Sequence, residues 1–186
     1  MTDWAVALAA GVGLAAASGF RVFLPLLGVS VAARFGGFEP AAGFEWLASP
    51  AATTALGVAL AVEVGAYFVP WLDNALDTIA TPLAAVAGTM LAALMLGDAP
   101  DALQWTLAVV AGGGTAGAVQ VGTVAARTTS LVTTGGLANP LVSLAEAGFA
   151  GLFTLLALVV PLTGVALLLV VLLWWRHRRS RRRATV

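Results

Sequence analysis

A single glutamate, Glu63, interrupts an apolar run at residues 51–69 that is long enough to span a bilayer. Three further charged residues, Arg21, Arg127 and Glu146, interrupt other apolar stretches. An ionisable side chain at membrane depth is costly, because hydrocarbon does not solvate its charge, and it usually serves a function. The chain is therefore expected to fold as an integral membrane protein with a polar interior.

The composition excludes an ordinary soluble domain. Hydrophobic residues make up 60% of the chain and charged residues only 10%, whereas an average soluble domain is about 25% charged. The chain has no cysteine and one histidine, His177 in a basic C-terminal segment, so neither a disulfide framework nor a transition-metal site is expected. Phosphate loops, catalytic triads and dinucleotide fingerprints are missing from the sequence, which therefore predicts no cofactor and no enzyme.

Six candidate membrane spans follow from the apolar runs, and an all-α membrane protein is predicted. The spans cover residues 4–33, 51–69, 82–96, 103–126, 140–160 and 162–175. The first span is too long for a straight crossing and contains Pro25, so it is predicted to be broken, re-entrant or tilted. Polar breaks are predicted at 18–25, 70–82 and 127–140. They should converge in the protein interior, because lipid cannot satisfy their backbone groups.

The basic residues predict the orientation. The chain has no lysine, and most of its arginines lie at 176–183, directly after the last predicted span. Such a tail, here residues 176–186, places the C-terminus in the cytoplasm of a bacterial inner membrane. The even span count places the N-terminus on the same side. The tail is more typical of a topology signal or a contact to anionic lipid than of nucleic-acid binding, so no nucleic-acid partner is expected.

Residues 1–175 are interpreted as one transmembrane domain that contains two halves, 1–97 and 98–175. The order arginine, glutamate, proline-led span occurs twice, as Arg21, Glu63 and Pro82 and then as Arg127, Glu146 and Pro161. Two halves of three spans each would be inverted relative to one another, which is a transporter arrangement. The spacings differ between the halves, so the repeat is a hypothesis.

The candidate binding site for a solute or ion consists of polar and ionisable residues at or near the breaks: Arg21, Glu63, Asp73, Asp77, Arg127, Asn139 and Glu146. In a helix, Asp73 and Asp77 lie on one face and repel each other unless a cation, a proton or an arginine lies between them. Alternatively, Asp73 caps a helix after Pro70, and Asn139 caps the helix that follows it. A further alternative is that the arginines neutralise the glutamates as buried ion pairs.

Span 103–126 carries small and polar residues that are expected to face the interior. Gly113 and Gly117 have the small-residue spacing that lets two helices approach closely. Gln120 on the same span is a candidate for lining the cavity. These residues extend the predicted polar interior beyond the charged groups.

Three motifs resemble one known family. They are Ser-Gly-Phe-Arg-Val-Phe-Leu-Pro-Leu-Leu at 18–27, the segment 66–82 together with Glu63, and Thr-Thr-Gly-Gly-Leu-Ala-Asn-Pro at 133–140 together with Glu146. They look like a family of small bacterial multi-pass membrane proteins catalogued as a domain of unknown function, numbered four-one-two-six. The likeness covers nearly the whole chain. It supports the membrane assignment and the choice of residues, and it implies no substrate.

Three functions remain open at the level of sequence. The first is a transporter or channel for a small charged solute, in which the carboxylates bind or exchange a coupling proton or cation and the arginines hold an anionic group. The second is a lipid-handling protein, such as a flippase of a phosphorylated lipid. The third is a membrane scaffold whose charges form structural ion pairs. Membrane lipids are expected partners in each case, and homo-oligomer formation stays open.

Overall fold

The computed structural model describes the backbone of residues 2–66 and 70–159. It describes the side chains and their surroundings for residues 4–66 and 78–159. The described residues contain helices and no strand. The helices are α1 (Thr2–Phe20), α2 (Phe23–Phe35), α3 (Pro50–Ala66), α4 (Pro70–Met95), α5 (Asp101–Leu107), α6 (Gly114–Thr134) and α7 (Asn139–Val159). A π-helical turn, Ala108–Gly113, joins α5 to α6, and a 3-10 helix, Glu45–Ala48, precedes α3. The predicted all-α class is confirmed for this part of the chain.

Three described helices are long and apolar enough to cross a membrane: Thr78–Met95, Asp101–Thr134 and Asn139–Val159. Three shorter apolar helices accompany them: Trp4–Phe20, Phe23–Phe35 and Pro50–Ala66. At 1.5 Å per residue, the 21 described residues of α7 cover about 31 Å, which is enough to cross the hydrocarbon core of a bilayer. The predicted sixth span, 162–175, and the basic tail lie outside the described residues.

Helices α1 and α2 form a hairpin, so the start of α1 and the end of α2 lie at the same end of the bundle. Val6 at the start of α1, Phe38 just after α2, Met95 at the end of α4 and Leu158 at the end of α7 line one cavity of about 340 Å³. We call this the pocket end. The opposite, tip end contains Arg21, between α1 and α2. The predicted break in the first span is confirmed, and its form is a hairpin.

This connectivity bears on the span count and the relation between the two halves. Residues 4–33 were predicted to cross once, but they turn back at the tip, so the halves 1–97 and 98–175 both start at the pocket end. The structure therefore does not support an inverted relation between them. The predicted count of six spans is likewise not confirmed. The predicted same-side location of the two termini stays a prediction, because 162–175 lies outside the described residues.

The predicted polar break at 70–82 is wrong, because α4 is continuous from Pro70 to Met95. Pro82 lies inside the helix, and membrane helices tolerate this because neighbouring groups satisfy the freed carbonyl. A polar segment is therefore helical here.

The predicted break at 127–140 is also wrong over most of its length, since α6 runs to Thr134. The hydroxyls of Thr128, Thr129, Thr133 and Thr134 each donate to the carbonyl four residues earlier, at 2.7–2.9 Å. These threonines thus satisfy their polar groups within the helix. The helix ends where Gly135 adopts a φ of +63°, a left-handed conformation that suits glycine.

Small residues let α1, α4 and the π-helical turn approach closely at the centre of the bundle. A Cβ added to Gly112 would lie 2.5 Å from both the backbone oxygen of Gly88 and the Cβ of Ala92. A Cβ added to Gly113 would lie 2.6 Å from Thr89 Oγ1, whereas one at Gly117 would meet nothing within 4 Å. The predicted close approach is therefore confirmed at Gly113 but not at Gly117, and Gly112 is a second contact point.

Candidate functional site

The break between α1 and α2 is stabilised by the carboxylate of Glu63 on α3. Pro25 cannot donate to the carbonyl of Arg21, and its ring would clash with that carbonyl in a continuous helix, so α1 ends at Phe20. The N–H groups of Val22 and Phe23 donate to the two carboxylate oxygens of Glu63, at 2.9 Å and 3.3 Å. Glu63 therefore caps the first turn of α2 from a neighbouring helix.

Arg21 lies at the tip of the hairpin and is fully buried, with 1% of its surface exposed. Its Nη2 donates to the backbone oxygen of Ser143 at 2.8 Å and to the Ser143 hydroxyl at 2.5 Å. Ser143 lies near the start of α7, so this contact holds the tip against the second half of the chain. In the described part of the chain, no direct ion pair joins Arg21 to Glu63, so that predicted pair is not observed.

Arg127 and Glu146 form the buried ion pair that the sequence left open as an alternative. Arg127 on α6 donates from Nε to Glu146 Oε1 at 3.2 Å and from Nη2 to Oε2. The two side chains are only 8% and 5% exposed. Two parallel hydrogen bonds between a guanidinium and a carboxylate fix the geometry as well as the charge.

The two arginines and two glutamates converge in one region, which we call the charge cluster: Arg21, Glu63, Arg127 and Glu146. Ser143 and Glu146 are three residues apart, so the helical repeat brings the contacts of both arginines to one face of α7. Glu63 accepts from the N–H groups of Val22 and Phe23, directly after Arg21 in the chain, and Arg21 in turn contacts Ser143. Residues far apart in the sequence thus form one electrostatic unit.

The contacts described above involve none of the three other predicted site residues, Asp73, Asp77 and Asn139. The side chains of Asp73 and Asp77 lie outside the described residues. Asn139 begins α7, but its Oδ1 is buried and accepts no hydrogen bond within the described structure. The predicted capping role of Asn139 is therefore wrong. Its own N–H instead donates to the backbone oxygen of Gly136 at 3.0 Å, and Thr134 Oγ1 accepts the Ala138 N–H at 3.2 Å.

The family match covers residues 8–179 and carries the description Domain of unknown function (DUF4126). The chain belongs to the DUF4126 family. This confirms the resemblance drawn from the three motifs, each of which contributes a residue at or near the charge cluster. Among curated proteins and solved structures, no match to the chain was found.

Sequence reasoning missed the buried polar face of this DUF4126 chain, apart from Gln120. Thr123 and Ser130 on α6 and Ser143 on α7 are buried with Gln120, each less than 9% exposed. On α6 the buried residues recur at intervals of three or four, from Ala116 through Gln120, Thr123 and Arg127 to Ser130. This helical spacing was the available signal, and it indicates a polar stripe that faces the interior.

The capping role of Glu63 yields a stability prediction. Glu63→Ala should lower the free energy of unfolding by about 1–2 kcal/mol, because two N–H groups at the start of α2 lose their acceptor. Glu63→Gln should cost less, since its amide oxygen can still accept one bond. Thermal unfolding in detergent micelles measures both variants, with the exposed neighbour Val62→Ala as the matched control. Restoration of stability by a second change, Arg21→Met, would contradict the capping role and indicate an ion pair.

Proposed function

We propose that this DUF4126 protein is a membrane-embedded transporter or channel for a small charged solute, and that the charge cluster is its binding site. The observation that carries the proposal is the convergence of two buried arginines and two buried or half-buried glutamates at the tip of a helical hairpin. Buried ion pairs stabilise a fold poorly compared with apolar packing of the same volume. Four such residues in a small bundle therefore favour a use beyond stability.

The position of the cluster supports the same function. Broken helices expose backbone groups that can bind ions, and in transporters such breaks lie at substrate sites. Here the break lies between Arg21 and Phe23, and Glu63 already occupies its N–H groups. The cluster offers guanidinium groups for an anion and carboxylates for a proton or cation. A solute would bind by exchanging with the contacts that the protein's own side chains make in this closed arrangement.

Flux through purified protein tests the proposal. Proteoliposomes with an entrapped pH dye would report proton movement under an imposed potassium diffusion potential, and separate preparations would carry chloride, sodium or inorganic phosphate gradients. We expect movement of at least one of these ions above that of empty liposomes. The change Glu146→Gln should reduce the flux to the empty-liposome rate, because the Arg127 guanidinium loses one of its two carboxylate acceptors. Glu39→Gln, an exposed loop change, is the matched control and should leave the flux unchanged.

A scaffold is the second candidate, and one observation favours it. The Arg127–Glu146 pair is closed by two hydrogen bonds, and the other two members of the cluster also have protein partners. A protein whose charges only hold its helices together would show this arrangement permanently. Folded protein that moves none of the four ions, with no effect of Glu146→Gln on flux, would leave the scaffold as the function and overturn transport.

A further inference from the structure

The inner face of the α6–α7 hairpin is polar between the turn and the Arg127–Glu146 pair. The two helices run antiparallel from a turn at Gly135–Ala138, and the Arg127–Glu146 pair fixes their register. Counting back from this pair towards the turn by helical repeats, Ser130 faces the level of Ser143 and Thr134 faces the level of Asn139. Every side chain at these levels is polar. The turn end of the hairpin therefore has a hydrophilic lining.

Exposure falls steadily along this lining towards the ion pair. Thr134 is exposed and Asn139 is half-buried, whereas Ser130 and Ser143 are buried but keep 7% and 8% of their surface exposed. The buried Oδ1 of Asn139 accepts no hydrogen bond within the described structure. A buried carbonyl oxygen without a donor is costly, so this atom indicates a position where water or another hydrogen-bond donor is bound.

On the other side of the ion pair, Phe20, Phe149 and Phe153 form an aromatic plug, in which Phe153 is buried and Phe149 is 45% exposed. The Phe20 ring stacks on Phe149 and Phe153, with centroid distances of 5.5 Å and 6.0 Å. Phe153 is 1% exposed and packs with the fully buried Ala16 and Ala17. Phe153 is seven residues after Glu146, so the plug lies about 10 Å further towards the pocket end. Buried polar residues on that side include Gln120, Thr123 and Thr154, and the hydroxyls of Thr123 and Thr154 donate to carbonyls of their own helices. The stacked rings, and not a lack of polar groups, therefore close this side.

We propose that the inner face of the α6–α7 hairpin is a one-sided access path, by which water and a small hydrophilic ion reach the Arg127–Glu146 pair from the tip end only. This inference rests on the proposed function, since it describes how the solute reaches the binding site. Hydroxyl and amide groups line the path, and these bind water, protons in water and small hydrated ions. The aromatic plug separates the pair from the pocket end. Access from that end would require Phe20 and Phe153 to separate.

Thiol labelling tests the path directly, because the natural chain has no cysteine. Single changes Thr134→Cys and Ser130→Cys place a thiol in the path, and Ala150→Cys places one beyond the ion pair. Val132→Cys, whose position is 80% exposed on the outer face of α6, is the matched control on the same helix. A positively charged methanethiosulfonate reagent that does not cross membranes is added to vesicles of either orientation.

We expect Thr134→Cys and Ser130→Cys to react from one side only, the side that also labels Leu137→Cys in the turn. Ser130→Cys should react roughly tenfold or more faster than Ala150→Cys and Val132→Cys, because a charged, water-soluble reagent does not enter apolar surroundings. A lipid-soluble maleimide should label Val132→Cys, which shows that this thiol is present and lipid-facing. Melting curves confirm that each variant is folded.

Two results would overturn the path: a rate for Ser130→Cys no higher than for Ala150→Cys, or labelling of Ser130→Cys from both sides of the membrane. Labelling does not depend on transport, so the two proposals fail separately. One-sided labelling without ion flux would uphold the path and refute transport. Ion flux that depends on Glu146, with Ser130→Cys unreactive, would refute the path and uphold transport.

Discussion

Replacing Glu146 with leucine is expected to lower the free energy of unfolding by about 3–5 kcal/mol, because the change leaves the buried guanidinium of Arg127 without its two-bond partner. Removing both charges, in Arg127→Met with Glu146→Leu, should recover most of that loss, since apolar residues of similar size often replace a buried pair at little cost. Unfolding in detergent micelles measures Glu146→Leu, Arg127→Met and the double variant in a double-mutant cycle.

The control for this cycle is Leu144→Ala on the same helix, whose side chain is 71% exposed and should contribute little to folding. Effects of the two single changes that simply add in the double variant would contradict a coupled pair. The double variant also separates the two candidate functions. If it is stable, a loss of ion flux can be assigned to the missing charges and not to a misfolded protein.

The change Gly112→Leu is expected to destabilise the bundle by about 3 kcal/mol, the upper part of the range for overpacking a core. Even its Cβ would lie 2.5 Å from the backbone oxygen of Gly88, and a backbone atom cannot move aside as a flexible side chain can. Helix α4 and the π-helical turn would have to separate. The measurement is the shift of the melting temperature in micelles.

Gly117→Ala on α6 is the matched control for the close approach at Gly112. A Cβ at this position meets nothing within 4 Å, and alanine is the better helix former by up to about 1 kcal/mol. This variant should therefore melt at the same temperature as the wild type or higher. A similar loss of stability in both variants would show that glycine is needed for backbone conformation and not for helix contact.

Local chemistry allowed parts of the fold to be predicted from sequence. Pro25 predicted the break in the first span, and the apolar run from Pro140 predicted α7. The breaks at 70–82 and 127–140 were wrong for a common reason. Polarity marks both an irregular segment and the polar face of a helix, and only tertiary packing decides between them. The threonines of α6, whose hydroxyls bond their own helix, contain no local signal that distinguishes the two.

The members of the charge cluster were also predictable, whereas their partners were not. Charges within apolar runs identified Arg21, Glu63, Arg127 and Glu146, because the free-energy cost of burying a charge in a membrane follows from the residue type alone. Pairing depends on the register of helices that are distant in the chain. Arg21 binds the hydroxyl and the backbone oxygen of Ser143. The chain has many hydroxyls and every residue carries a backbone oxygen, so residue type alone does not mark this partner. Glu63 binds backbone N–H groups for which the same is true.

The contact between Arg21 and Ser143 has a consequence for biosynthesis. The two residues are 122 positions apart, so the hairpin of α1 and α2 is synthesised long before the partner of Arg21 on α7. Glu63 is synthesised earlier, about 40 residues after the break. It can therefore cap α2 before α7 and the partner of Arg21 have been made. The nascent hairpin is therefore expected to stay near the insertion machinery or the headgroup region until α7 has been made. Chains that end before Ser143 would expose Arg21 to quality-control proteases.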